Sequence, residues 1–165
     1  MHVEGAFQVR RDRQSVYAFF TDAHRLADCL DDPHTLEVAD ATHFSGTVTT
    51  GVAFIRGTFR VKGEYTERTE PERVVAQAHG GGLGSGLDAT ISTQLVEAGG
   101  VTTVRWATDL TFSGPIASIG ERIVRSTVDK KTQGVFERAR KTLESGATTG
   151  SARSASPRRA NGPLS

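Results

Sequence analysis

The distribution of apolar residues predicts an α+β fold, a curved antiparallel sheet wrapped around a long C-terminal helix, with two short N-terminal helices. Three observations carry this expectation. From about Leu36 to Phe112 the chain is a succession of short runs that alternate apolar and polar residues with a period of two, the signature of half-buried strands. Helical spacing interrupts this pattern only briefly and early, around Val16–Phe20 and Leu26–Leu30. After Ser113, Gly114 and Pro115 the period becomes helical and stays so from Ile116 to about Glu144. A sheet that curls around one helix leaves a cavity between them, and the residues lining that cavity decide what it holds.

Each element has a local reason. Val3, Gly5, Phe7 and Val9 alternate with Glu4 and Gln8 in a first strand. Asp12 is placed to cap a short helix through Val16, Phe19 and Phe20, and Asp22 a second through Leu26, Cys29 and Leu30, closed by Pro33. Leu36 and Val38 mark the next strand, and Phe44 to Thr50 another with Gly51 at its turn. Ile55, Gly57, Phe59, Val61, Gly63 and Tyr65 then alternate with charged and polar residues, as a sheet with one wet face requires. Glu70-Pro71-Glu72 turns the chain into a strand from Val74 to His79, and Gly80–Gly86 reads as a loose hairpin. Leu87 to Leu95 and Val104 to Phe112 form the last two strands around Gly99-Gly100. In the long helix, Ile116, Ile119 and Ile123 form one stripe, while Val124, Val128, Val135, Ala139 and Leu143 form another rotated away from it. The first half is expected to face the cavity and the second to pack on the sheet.

The length of 165 residues fits one domain, expected over residues 1–144. Residues 145–165 are rich in Ser, Gly, Ala and Pro, carry Arg153, Arg158 and Arg159 with no acid, and are expected to be a disordered basic tail. A net charge of +1 gives no electrostatic case for nucleic acid. Cys29 is the only cysteine, so no disulfide forms within the chain, which suits a reducing compartment. No apolar run approaches the ~20 residues that span a bilayer. Met1–Arg10 lacks a secretory signal's basic start and apolar middle, and a cytoplasmic location is expected, peripheral at the inner membrane face if the tail meets lipid.

On strand parity, the cavity lining includes Phe59, Val61, Ile91, Val104, Trp106, Leu110 and Phe112, with Phe19, Leu30, Ile116, Ile119 and Ile123 from the helices. Tyr65 is placed to hydrogen-bond a ligand carbonyl or to pack as core with its hydroxyl at the rim. Such a lining suits a hydrophobic small molecule, and the same residues also suit ordinary core packing. Catalysis requires a titratable group inside, and the best candidate, His79, reads as a surface histidine at a strand end, so no catalytic residue is assigned. His2, His24, His34, His43 and His79 have no metal-ligand spacing, Asp28, Asp31 and Asp32 have no EF-hand spacing, and no metal is expected. Gly80–Gly86 lacks the Gly-Lys-Ser/Thr ending of a phosphate loop.

The order of strand, two short helices, six strands and long helix resembles the helix-grip fold (START-like, Bet v 1-like, within the SRPBCC superfamily). Four stretches resemble the CoxG family of carbon monoxide dehydrogenase accessory proteins. They are Glu4-Gly5-Ala6-Phe7 leading to Val16–Asp22, Leu26-Ala27-Asp28-Cys29-Leu30, Ile55-Arg56-Gly57-Thr58-Phe59, and Gly114–Arg122 at the entry to the last helix. Where the family usually follows Cys-Leu with Pro-Gly, this chain has Asp31-Asp32. The resemblance implies a non-catalytic accessory protein that holds a quinone or lipid as ligand, with no cofactor. It also implies a molybdenum hydroxylase of the CO dehydrogenase type as partner, served by membrane association or quinone supply. The ligand head group is then expected near the Asp31–Pro33 loop. Two other classes stay open on the residues: a polyketide cyclase/dehydrase-like enzyme, and a docking or assembly protein with an incidental cavity.

Overall fold

The computed structural model describes residues 1–146. In chain order the elements are β1 (His2–Val9), α1 (Arg13–Phe20), α2 (Ala23–Ala27), β2 (His34–Val38), β3 (His43–Val52) and β4 (Ile55–Thr69). They continue with β5 (Arg73–Gly82), β6 (Ser85–Ala98), β7 (Val101–Ser113), α3 (Pro115–Ile119) and α4 (Glu121–Gly146). The strands form one antiparallel sheet in the order β1-β7-β6-β5-β4-β3-β2. Six of the seven are a meander, and β1 closes beside β7, so β1 and β2 are the two free edges.

The two short helices start where their caps predict. Asp12 accepts from the Ser15 amide at 2.9 Å, and Asp22 from the His24 and Arg25 amides at 3.0 and 3.3 Å. The buried face of α1, with Val16, Phe19 and Phe20, joins Val9, Leu95, Val104, Ala139 and Leu143 in the tightest core cluster. Thr102, fully buried, donates to Arg11 O at 2.8 Å, and Arg11 donates to Leu143 O at 2.7 Å. These bonds tie the chain entering α1 to β7 and to the end of α4. Two smaller clusters follow along the inner face, one around Val3, Ala89 and Leu110 and one around Ile55, Ile116 and Val124.

Three local expectations are corrected. The final helix is broken at Gly120, whose φ of +107° and ψ of +141° lie outside any helical region, so α3 and α4 have separate axes. The break explains the drifting apolar stripe, and it removes Ile123 from the cavity: Val124 takes the buried position and Ile123 is 49 % exposed. The glycine run is not a loose hairpin. Gly80, Gly81 and Gly82 pair in register with Leu87, Gly86 and Ser85, leaving only Leu83-Gly84 as the turn. The β3 strand also runs past Gly51 to Val52, and Ala53-Phe54 makes its turn. Of the expected tail, Ser145 and Gly146 complete α4, and the rest lies outside the described residues.

Gly114 joins sheet to helix under two constraints at once, a positive φ and a close backbone approach. Its φ is +76°, and a Cβ built there would stand 2.2 Å from Gly84 O. Gly120 has positive φ but open space around it. Gly114→Ala is therefore expected to cost about 4 kcal/mol, near the upper range for single substitutions. Gly120→Ala is expected to cost only the backbone strain of about 1–3 kcal/mol. Urea unfolding of both variants checks this; equal losses would show that the Gly114–Gly84 approach carries no energy.

Candidate functional site: a hollow on the inner sheet face

The strand register makes the shape of the inner face explicit. One row crossing the sheet reads Leu36, Gly46, Val61, Gly80, Leu87 and Phe112. The next reads Val38, Phe44, Gly63, Ala78, Ala89 and Leu110. Small residues occupy the middle of both rows and large ones the flanks. Phe44 lies over Gly63, where a Cβ would meet its ring at 2.3 Å, so that gap is filled. At Gly80 it is not: a Cβ would find nothing closer than Arg60 O at 3.4 Å, with Val61 and Leu87 at ordinary contact distance. Val61, Leu30, Leu36 and Val48 are half-buried yet belong to none of the three packed clusters. With Gly80, where a side-chain carbon would meet only ordinary contacts, they are the candidate wall of a ligand hollow.

The expected lining residues separate into groups. Val61 and Leu30 border the hollow. Ile91, Trp106, Leu110 and Phe112 pack in the second cluster, and Phe59, Ile116 and Ile119 in the third, most of them only partly buried. Phe19 and Val104 are sealed in the first cluster, 1 % and 0 % exposed, because the buried face of α1, which carries Phe19, packs with Val104 and the end of α4. They are core and not lining. Sequence parity missed Leu36, Val48, Leu87 and Gly80; a glycine between Val61 and Leu87 was legible only once the register was fixed.

Tyr65 is 7 % exposed, packs against Phe44 at 5.5 Å between ring centroids, and has the only buried side-chain polar atom without a hydrogen-bond partner among the described residues. Burial pushes its pKa up to about 12, with the Asp22 charge adding to the shift. It remains a neutral hydroxyl across the physiological range. His79 points to the outer face, where it hydrogen-bonds Asp88, and Asp109 and Glu64 share that face. The two rows through Gly80 and Gly63 carry no titratable side chain. His34 stands on inner parity at edge strand β2, with Nδ1 held by Asp32 O at 2.8 Å.

The Asp31–Pro33 loop is fastened to α4. Lys131 Nζ meets Asp32 Oδ2 at 2.8 Å, Thr50 donates to the same oxygen at 3.1 Å, and Arg138 lies 3.7 Å from Asp31. Arg138 Nε also donates to Cys29 O. The Lys131 hydrogen bond holds the Asp32 carboxyl below the usual carboxylate range. Asp31 and Asp32 thus act as the loop's tether.

A family model described as the G subunit of carbon monoxide dehydrogenase (CoxG) matches residues 5–144. The chain belongs to that family. Solved structures place its fold among START-like proteins. A conserved protein from Geobacillus kaustophilus matches with a TM-score of 0.82 at 17% identity, covering 88% of this chain and 97% of that one. A START superfamily protein from Mycobacterium smegmatis matches at 0.71 and 8% identity, covering 87% and 97%. The Zhui aromatase/cyclase from Streptomyces sp. R1128 matches at 0.70 and 11% identity, covering 92% and 99%. At these identities the likeness establishes the helix-grip fold alone. No curated protein sequence matches the chain. Among the described residues no helix is long and apolar enough to cross a membrane, and no group of three or more His, Cys, Asp or Glu is placed to hold a metal.

An unpartnered buried hydroxyl costs stability. Tyr65→Phe is expected to raise the unfolding free energy of the ligand-free protein by about 1 kcal/mol. A loss in urea unfolding would show that the hydroxyl has a bonding partner in solution.

Proposed function

We propose that this CoxG-family protein holds an apolar ligand, a quinone or lipid, in the hollow beneath Gly80. In this reading it acts as a non-catalytic accessory to a CO dehydrogenase-type molybdenum hydroxylase. The observation that carries the ligand-binding part is the inner face itself: rows thinned by Gly80, Ala78 and Ala89, flanked by apolar side chains and free of titratable groups. An apolar wall of this kind favours a hydrocarbon chain by removing it from water, at roughly 0.8 kcal/mol per buried CH₂. The partner enzyme and the quinone or lipid identity follow family membership. A cyclase-like reaction needs an acid or base inside the hollow; His79 lies on the opposite face, and His34, on inner parity at the sheet edge, has its Nδ1 held by Asp32 O.

One end of the domain supports exchange with a membrane. Phe54, Leu83 and Ile123, three of the most exposed large apolar residues, are 87 %, 54 % and 49 % exposed. Leu83 contacts the Gly57 position of β4, Gly84 approaches Gly114, and Ile55 packs with Ile116 and Val124, so both hairpin tips and the α3–α4 break meet at this end. Ala53 and Leu83 take positive φ values of +54° and +55°, so the tight turns hold the tips outward. Arg56, Arg60 and Arg122 have no carboxylate within 4 Å among the described residues. Apolar tips beside arginines that form no direct salt bridge suit an anionic bilayer surface, where each such charge adds about 1 kcal/mol.

Organic extraction of natively purified protein, followed by mass spectrometry, is expected to release a stoichiometric quinone or lipid. Gly80→Val, whose Cβ would meet Arg60 O at an ordinary 3.4 Å, is expected to fold normally and retain at least tenfold less of it. A wild-type protein that is empty in the absence of detergent, or a Gly80→Val variant that is equally loaded, would overturn the assignment. The double variant Phe54→Asp, Leu83→Asp is expected to co-sediment at least tenfold less with phosphatidylglycerol-containing vesicles. Unchanged sedimentation would remove this end as the contact surface.

A further inference from the structure

A second recess lies elsewhere, between edge strand β1 and α4. It encloses about 630 Å³, within the range typical of small-molecule sites. Its floor is aromatic. Phe136, from α4, packs on Phe7 with ring centroids 4.9 Å apart and on Trp106 at 5.2 Å. Trp106 pairs with Gly5 across the ladder, and a Cβ at Gly5 would stand 2.8 Å from the indole ring. The indole thus lies against Gly5, in the place a side chain there would take, and Trp106 stays half-buried and borders the recess at the free edge of β1. Its Nε1, 3.0 Å from the same Cβ position, has no hydrogen-bond partner among the described residues. Trp106 also packs with Ile91 and Leu110, so the floor of this groove forms part of the same inner face as the hollow.

We infer that the β1–α4 groove is a binding site for a planar, uncharged aromatic ring bearing a hydrogen-bond acceptor such as a carbonyl. The ring stacks on Trp106 and Phe136, and the acceptor receives the indole N–H. The rim decides against an anion: Glu4 and Asp129 line it, while its one cation, Arg140, is taken by Glu137 and by Glu144 at 3.3 Å. The inference rests on the apolar-ligand reading above and deepens it. It moves the ring of such a ligand away from the Asp31–Pro33 loop, which ion pairs fasten to α4, to the opposite edge of the sheet.

Trp106 is the only tryptophan, so its fluorescence reports this groove directly. The probes are tail-less 1,4-naphthoquinone and, for the hollow alone, lauric acid, each titrated against the wild-type protein by fluorescence and calorimetry. Naphthoquinone is expected to quench Trp106 saturably. Gln133→Phe, a change at an exposed rim position, is expected to weaken it at least tenfold while leaving laurate affinity within about twofold, the span of a few tenths of a kcal/mol. Trp106→Phe, which keeps a ring and removes the donor, is expected to weaken naphthoquinone about fivefold by calorimetry, the worth of one hydrogen bond. Laurate binding without naphthoquinone binding would overturn the groove and spare the hollow. So would naphthoquinone binding that is lost in Gly80→Val but indifferent to Gln133→Phe. Binding of neither probe would sink both readings.

Discussion

A single helix about 10–12 Å across has to cover the inner face of a seven-stranded sheet that is, at ~4.8 Å per strand, roughly 30 Å wide. No arrangement of one helix can bury all of that face, and the remaining architecture follows from how the shortfall is distributed. The chain closes one end with α1 and α2, packing Phe19, Phe20, Leu95 and Leu143 to near-complete burial. At the other end α3 and the start of α4 close over Ile55 and Ile116. The middle keeps its deficit, and there the sheet carries Gly80, Ala78 and Ala89 where larger side chains would reach toward the helix.

The break at Gly120 answers the same constraint. A continuous helix from Ile116 onward would carry Ile116, Ile119 and Ile123 on one stripe and turn the Val124 stripe away from it. By resetting the helix axis, the positive-φ glycine lets Ile116 and Val124 share one cluster. Ile123 becomes a surface residue as a result. Polar chemistry is kept at the margins: the His–Asp and His–Glu pairs stand on the outer face, and the Asp32–Lys131 and Asp31–Arg138 pairs hold the β2 side against α4. On the opposite side, β1 is held to α4 near its two ends, where Arg125 donates to His2 O and Arg10 pairs with Glu144. Between those ties, across Gly5, the aromatic floor is open.

Much of the site was legible in the residue pattern. Period-two alternation placed Phe59, Val61, Ile91, Trp106, Leu110 and Phe112 on one face, and the register agrees for each of them. Parity, however, reports only which face a side chain takes. It does not say whether a helix lies above that position. Val104 and Phe19 share the apolar character of Val61, yet both are sealed into the core formed by α1, β7 and the end of α4, while Val61 belongs to none of the packed clusters. Gly80 looked like part of a loop because a glycine run reads as a turn until its ladder partners, Leu87 and Gly86 on the neighbouring strand, are known.

The sequence by itself determined the element order, the caps at Asp12 and Asp22, the polar and apolar faces of each strand, and the family. These depend on local spacing, on short hydrogen bonds and on motifs that a linear reading captures. Tertiary structure alone decided where the volume is missing, which apolar residues are core and which are wall, that the orphan hydroxyl belongs to Tyr65, and that Trp106 lies over Gly5 beside the β1–α4 recess. Each of these is a property of space between residues distant in the chain. Packing sets such gaps, and no single segment encodes them.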